Sequence, residues 1–325
     1  MTDTAARRDP AGGSADGAAR PGPARPALGP LTGDPAAGTA RARRRPRLGT
    51  LGLVPFFAFS AVFFVLPTSV LLLNAFRTTT GAFTLGNLSA SVRGAYRTGL
   101  LHSVEVSAVD AVVAAVLGLV LAQALVTSRS DVVRQLVATA SAVLTNFGGL
   151  PLAFLFVAAI GNAGVLTVAL QRTTGLSLSQ DLHVDLYGVS GVEVVYLYFL
   201  VPLMVLVITP SLAGLRPQWQ EAASNLGASR WQYWRLVAGP VLAPSFFGAV
   251  ALLFCSSISA YATAAALTNG TLALTPLQIA AVLSGNVLAD QANVGAALAL
   301  DLMVLIVPLT LLYLAMQKRT SRWLR

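Results

Sequence analysis

The chain has 325 residues, 55% of them hydrophobic and only 11% charged, with a mean hydropathy of +0.70; this excludes an ordinary soluble enzyme and reads as an integral membrane protein. The formal net charge of +9 invites a nucleic-acid reading, but most of the basic residues flank apolar runs on one expected side of a membrane, where they set orientation, so no nucleic-acid partner is expected. The single cysteine, Cys255, lies in an apolar run and excludes an internal disulfide or a cysteine-rich metal site.

Residues 1–48 are rich in Ala, Gly, Pro and Arg. Too few large apolar side chains are present to offset the entropy of ordering, so a disordered cytoplasmic tail is expected, with the membrane domain filling 49–325. Arg41, Arg43, Arg44, Arg45 and Arg47 close the tail and hold it inside, with anionic lipid as a further contact. The apolar run that follows, Leu51 to Phe76, is longer than a signal peptide's and is expected to stay as an anchor.

Five more apolar runs follow, about Ser103–Val126, Gln135–Ile160, Val189–Leu212, Val241–Leu267 and Val294–Met316. Each is long enough to cross a hydrocarbon core of about 30 Å. The expected fold is therefore an all-α membrane protein with six transmembrane helices. Arg129, Arg134, Arg216, Arg230, Arg235, Lys318, Arg319, Arg322 and Arg325 fall on one side, against Arg77, Arg93, Arg97 and Arg172 on the other. That asymmetry places both termini in the cytoplasm of a multi-pass plasma-membrane protein. Pro67, Pro151, Pro202 and Pro308 permit kinks within the runs, and Asn146, Phe147, Gly148, Gly149 and Pro151 mark a break in the third. Thr78–His102 and Gly161–Gly188 read as long outer loops folded in short pieces.

Membrane-embedded acids are the main hint about cargo. Asp110 and Asp301 each lie about seven positions into their runs from the outer end, roughly 10 Å deep at helical rise, with Glu105 and Glu193 nearer the interface. A carboxylate at the bilayer centre costs about 2.5–3.5 kcal/mol, so such groups face a cavity or a partner. Two readings stand: a cation-attracting outer vestibule, which suits polyamines, or hydrogen bonding to Ser, Thr and Asn on neighbouring helices. Ser256, Ser257, Ser259, Tyr261 and Thr263 either line a path or pack between helices. With Asn146, the residues Asp110, Asp301, Ser257 and Tyr261 form the candidate translocation path.

The most informative stretch is a polar island between the fourth and fifth runs, EAASNLGASRWQYWRLVAGP from Glu221 to Pro240. Pro217 suits a first helical position and Gly227 a left-handed helix end, which predicts a short helix over 218–226. Ser229 and Gln232 have capping-box spacing, so a second helix starts at once. The first helix, about 15 Å long, is too short and polar to span.

This island resembles the EAA loop of binding-protein-dependent ABC importer permeases, E-A-A, three residues, G, nine residues, I-x-L-P. Glu221, Ala222, Ala223, Gly227 and Pro240 match in register; Val237 replaces the isoleucine, Gly239 the leucine, and Arg216 stands where a capping Asp is common. The resemblance, closest to the spermidine/putrescine-type branch and covering Leu48 to the C-terminus, implies a type I ABC importer permease fold with a cytoplasmic coupling-helix loop. It also implies an ATPase-coupling role for Glu221, Ala222, Ala223, Gly227, Ser229 and Pro240. The implied partners are two ABC ATPase subunits, a second permease as homo- or heterodimer, and an extracellular solute-binding protein. A secondary transporter or channel without an ATPase is the alternative.

The only lysine, Lys318, follows Met316 and Gln317, so this sequence holds no GxxxxGK[ST] phosphate loop and no ATPase site of that type. His102 and His183 are isolated and read as loop residues, without metal-ligand spacing, so neither a metal nor a cofactor is expected.

Overall fold

The computed structural model describes residues 53–175, 185–285 and 291–323, and these are helical apart from turns and an isolated antiparallel bridge between Arg77 and Phe83. The expected tail, His183, and Arg325 lie outside the described residues. The helices are α1 (Val54–Ala75, with a π turn at Ala61–Val65), α2 (Gly86–Ser91), α3 (Gly94–Thr127), α4 (Asp131–Asn146), α5 (Leu150–Ile160) and α6 (Val165–Thr174). They continue as α7 (Val189–Ala213), α8 (Pro217–Asn225), α9 (Arg230–Ile258, with a π turn at Trp234–Ala238), α10 (Ala262–Thr268), α11 (Thr275–Leu283) and α12 (Ala292–Trp323).

Six stretches are long and apolar enough to cross a membrane: Val54–Ala75, Gly94–Thr127, Leu150–Thr174, Val189–Ala213, Arg230–Ile258 and Ala292–Met316. The all-α, six-span expectation therefore holds. The core is where α3, α7 and α9 pack on one another. Ala111, Ala114, Ala115 and Ala122 recur at helical spacing on one face of α3 and are buried against Leu200, Met204 and Ile208 of α7 and Leu253 of α9. Lipid tails are as apolar as leucine, so such helices associate by close van der Waals packing, which small residues permit. On the other face of α3, Val112, Val116 and Val120 are exposed, as a lipid-facing surface requires. A smaller cluster joins Ala75 of α1 to Ala296 and Ala297 of α12.

Three expectations need correction. The second membrane-length helix, α3, starts at Gly94, not Ser103, so Arg97 and His102 are helical rather than in a loop. This extension is held by polar contacts that hydropathy cannot register: the Tyr96 hydroxyl donates to Gln291 Oε1 at 2.7 Å, and Gln278 Nε2 donates to the Ala95 carbonyl at 2.8 Å. The third run, expected over Gln135–Ile160, is not one helix. It breaks at Phe147–Gly149 as the Gly and Pro residues foretold, Gly149 taking φ 74° and Pro151 sitting in the first turn of α5; the membrane-length stretch is Leu150–Thr174, α5 and α6 joined by a turn. The fifth run, expected over Val241–Leu267, ends at Ile258 and resumes at Ala262. There the Ser259 hydroxyl donates to the Cys255 carbonyl at 2.7 Å, the back-bonding that lets serine compete with a helical ladder.

Candidate functional site

The hairpin between the fourth and fifth spans is built by its caps. At the end of α8, the Ala228 N–H donates to the Ala223 carbonyl at 3.0 Å and the Gly227 N–H to the Ser224 carbonyl at 3.0 Å. Those two bonds, around a Gly227 with φ 77°, make a Schellman motif. Ala228 leads directly into Ser229, whose hydroxyl accepts from the Gln232 N–H at 3.3 Å while Gln232 Oε1 accepts from the Ser229 N–H at 2.7 Å, completing the capping box. Only one residue separates the stop of the first helix from the cap of the next, so the angle between them is fixed by backbone bonds.

The second helix does not end before the span. It runs into it as α9 through the π turn at Trp234–Ala238. Pro240 has no N–H, so the Leu236 carbonyl lacks its usual donor; the Gly239 N–H donates instead to the Trp234 carbonyl, five residues back. A Cβ at position 239 would lie 2.6 Å from that carbonyl oxygen. The Gly239 that departs from the importer pattern is thus the residue the π turn requires.

Glu221, Ala222, Gly227, Ser229 and Pro240 are all exposed, and Ala223 is half-buried. Between the two arms lies an apolar groove of about 530 Å³ lined by Ala222, Ala223, Leu226, Ala228, Leu236 and Val237. Leu226 is 88% exposed, Trp231 72% and Leu236 69%. Sequence reasoning passed over these three, although large apolar residues inside a polar island are the signal that finds them. Uncovered apolar surface of this kind is what a partner or lipid covers.

Within the spans, two of the sequence candidates meet. Ser257 Oγ donates to Asp110 Oδ2 at 3.1 Å, and Asp110 is 1% exposed. Near them the Tyr196 hydroxyl of α7 donates to the Ala260 carbonyl in the break between α9 and α10. The other break is tied to the same place: the Gly149 N–H donates to Thr263 Oγ1 at 3.0 Å, and Thr263 Oγ1 reaches back to the Gly149 carbonyl at 3.4 Å. Tyr261 is exposed at its break, and Asn146, exposed at the end of α4, donates to its own helix at Ala142. Asp301 lies apart, half-buried on α12 beside Ser91 of α2. Discontinuous helices meeting inside a membrane protein are where transport sites are built.

These features define a helical, six-span membrane protein carrying an exposed apolar hairpin between its fourth and fifth spans and a junction of two interrupted helices within the bundle. Residues 114–322, more than half of the chain, match the family of binding-protein-dependent transport system inner membrane components, and the chain belongs to it. Among curated relatives, the sulfate transport system permease protein CysT of Escherichia coli is 36% identical over 75 residues, 23% of this chain and 27% of that protein. The thiamine transport system permease protein ThiP of Brucella suis is 27% identical over 98 residues, 30% of this chain and 18% of that protein. The chain thus spans less than a third of the length of either. A bacterial ABC transporter importing the acidic polysaccharide alginate has a chain of the same fold, with TM-score 0.59, 14% identity, and 85% of this chain and 95% of that one covered. A bacterial alginate ABC transporter in complex with an alginate pentasaccharide-bound periplasmic protein gives a TM-score of 0.64, 15% identity, and coverages of 84% and 94%.

Proposed function

We propose that this chain is the permease subunit of an ATP-driven importer, forming half of a translocation path for a small ionic solute. The observation that carries the reading is the rigidly capped hairpin with its uncovered groove, a shape suited to a cleft on a separate ATPase. Glu221 and the small Ala222 and Ala223 let a partner approach closely; Gly227, Ser229 and Pro240 set the geometry. The assembly in this reading has two ATPase subunits, a second permease identical or related to this one, and an external solute-binding protein. The hairpin and both chain ends face the cytoplasm in this reading.

The path runs past the junction of Asp110, Ser257, Tyr261 and Asn146. A polyamine-like cation, and with it the spermidine/putrescine branch, is the finer reading, supported by the carboxylates of the spans: Glu105, Glu193 and Asp110 lie within electrostatic reach along α3 and α7, with Asp301 on α12. Relatives named for sulfate, thiamine and alginate keep the general reading at ionic solutes. The deciding experiment is reconstitution with the ATPase and measurement of ATP-driven uptake in vesicles. Uptake that needs no ATPase would instead establish a secondary carrier or channel.

A further inference from the structure

A second cleft lies where the base of the hairpin meets the ends of α3 and α7. Its volume is about 270 Å³, and among its lining residues are Gln123 and Thr127 of α3, Arg216, Gln220, Arg230 and Tyr233. It differs from the docking groove in chemistry. Two guanidinium side chains share it, no lining residue is acidic, and neither arginine is ion-paired among the described residues. Both arginines are exposed, so their guanidinium groups are accessible to a ligand from solvent or the membrane surface.

We propose that this cleft binds a phosphate-type oxyanion between Arg216 and Arg230. Guanidinium groups match such an anion with two parallel N–H donors each, the arrangement in which arginine outperforms lysine. Gln123, Gln220 and Tyr233 add neutral donors. The first turn of α8 also lines the cleft, and its N-cap residue, Arg216, supplies no side-chain acceptor, whereas the next helix is capped by Ser229. The volume is several times the roughly 30 Å³ share of one water, so a phosphate group fits with waters retained. Arg216 precedes the first arm of the hairpin and Arg230 begins the second, so an anion held by both braces the base of the hairpin against α3. This cleft is distinct from the apolar groove proposed for ATPase docking, with which it shares only Tyr233 among its lining residues.

The source of the phosphate group is a free anion or a lipid headgroup at the membrane surface, and the experiment has an arm for each. In the first, the full chain in detergent is titrated with inorganic phosphate against chloride at matched ionic strength, and the unfolding midpoint is followed. A saturable rise is expected, because a ligand bound only to the folded state stabilises it. The rise disappears in the double variant Arg216→Gln/Arg230→Gln and survives in Arg235→Gln, which changes a basic residue outside the cleft. In the second, the chain is placed in phosphatidylcholine nanodiscs with and without phosphatidylglycerol, and retained lipid is counted by native mass spectrometry. Arginine-dependent retention without a phosphate response identifies the headgroup as the source and supports the site. A response to either probe that is unchanged in the double variant, or no response to both, overturns the proposal. Should the glutamine pair fail to fold, Arg216→Lys/Arg230→Lys keeps the charge and is expected to weaken binding at least threefold; equal binding overturns the bidentate site. ATPase copurification on the same variants is scored separately and bears only on docking.

Discussion

Ser257 Oγ donates to Asp110 Oδ2 across 3.1 Å, tying the middle of the long second span to the last turn of α9, just before its interruption. Asp110 Oδ1 has no partner among the described residues, so this bond is the carboxyl group's visible anchor. Ser257→Ala is expected to cost about 1–3 kcal/mol, the penalty for leaving a buried polar group unpaired. Asp110→Asn keeps an acceptor oxygen and is expected to cost under about 1 kcal/mol. Chemical or thermal unfolding of the detergent-solubilised chain measures both, and the reverse ranking would refute the anchor.

Gly227 sits at φ 77° with no heavy atom near a would-be Cβ, so conformation rather than space excludes other residues. Left-handed geometry costs an L-residue about 1–2 kcal/mol and a β-branched one more. Gly227→Val is expected to abolish ATP-driven uptake at unchanged membrane abundance, and Gly227→Asn to retain much of it, since asparagine tolerates this region. Normal uptake by the valine variant would show that transport does not depend on the Schellman turn.

The π turn makes Gly239 and Pro240 interdependent. Gly239→Ala forces a Cβ against the Trp234 carbonyl and is expected to cost about 1–3 kcal/mol, as overpacking does. In a Pro240→Ala background the missing N–H returns and the helix can relax to ordinary register, so the same change should cost much less. A double-mutant cycle on unfolding free energies reads the coupling directly; strict additivity would mean that the two residues act independently.

If the cargo is a cation, neutralising the carboxylates of the spans weakens its attraction. Asp301→Asn and Glu105→Gln are each expected to raise the half-saturating solute concentration roughly three- to tenfold, equivalent to about 0.7–1.4 kcal/mol of lost interaction. ATPase copurification should be unchanged. Unaltered concentration dependence in both variants would retire the polyamine-like reading.

Deletion of residues 2–38 leaves the arginine cluster before the first span and removes only a segment too poor in apolar residues to build a core. Uptake at equal membrane abundance is expected to match the full chain. Loss of uptake would assign the tail a binding or regulatory role.

How much of this was legible in the sequence varied with the forces involved. The hairpin was read nearly residue by residue, because Pro217, Gly227, Ser229 and Gln232 act through local backbone bonds that need no tertiary context. The break at Phe147–Gly149 was legible for the same reason. The interruption at Ser259–Tyr261 was not, since the apolar run continues across it and the contacts that hold it come from Tyr196 and Gly149, distant in sequence. The early start of α3 was hidden because its first turns are polar and are held by Gln278 and Gln291. The π turn escaped because Pro240 alone specifies a lost bond, and only the structure shows which carbonyl receives the displaced donor.

Helix α9 begins at the capped hairpin and stops at the interruption beside Tyr196 and Thr263, 29 residues later. At helical rise that is a rod of about 43 Å, with the capped turn at one end and the hydrogen-bonded joint at the other. Rods of this kind convert a small tilt at one end into lateral travel at the other. A rotation of about 5° imposed on the hairpin with α9 rigid would carry Ala260 sideways by nearly 4 Å over that length, farther than its hydrogen bond to Tyr196 can stretch. The bond would have to part or draw α7 along, so this one helix is the mechanical arm through which a push on the hairpin would be felt among the interrupted spans.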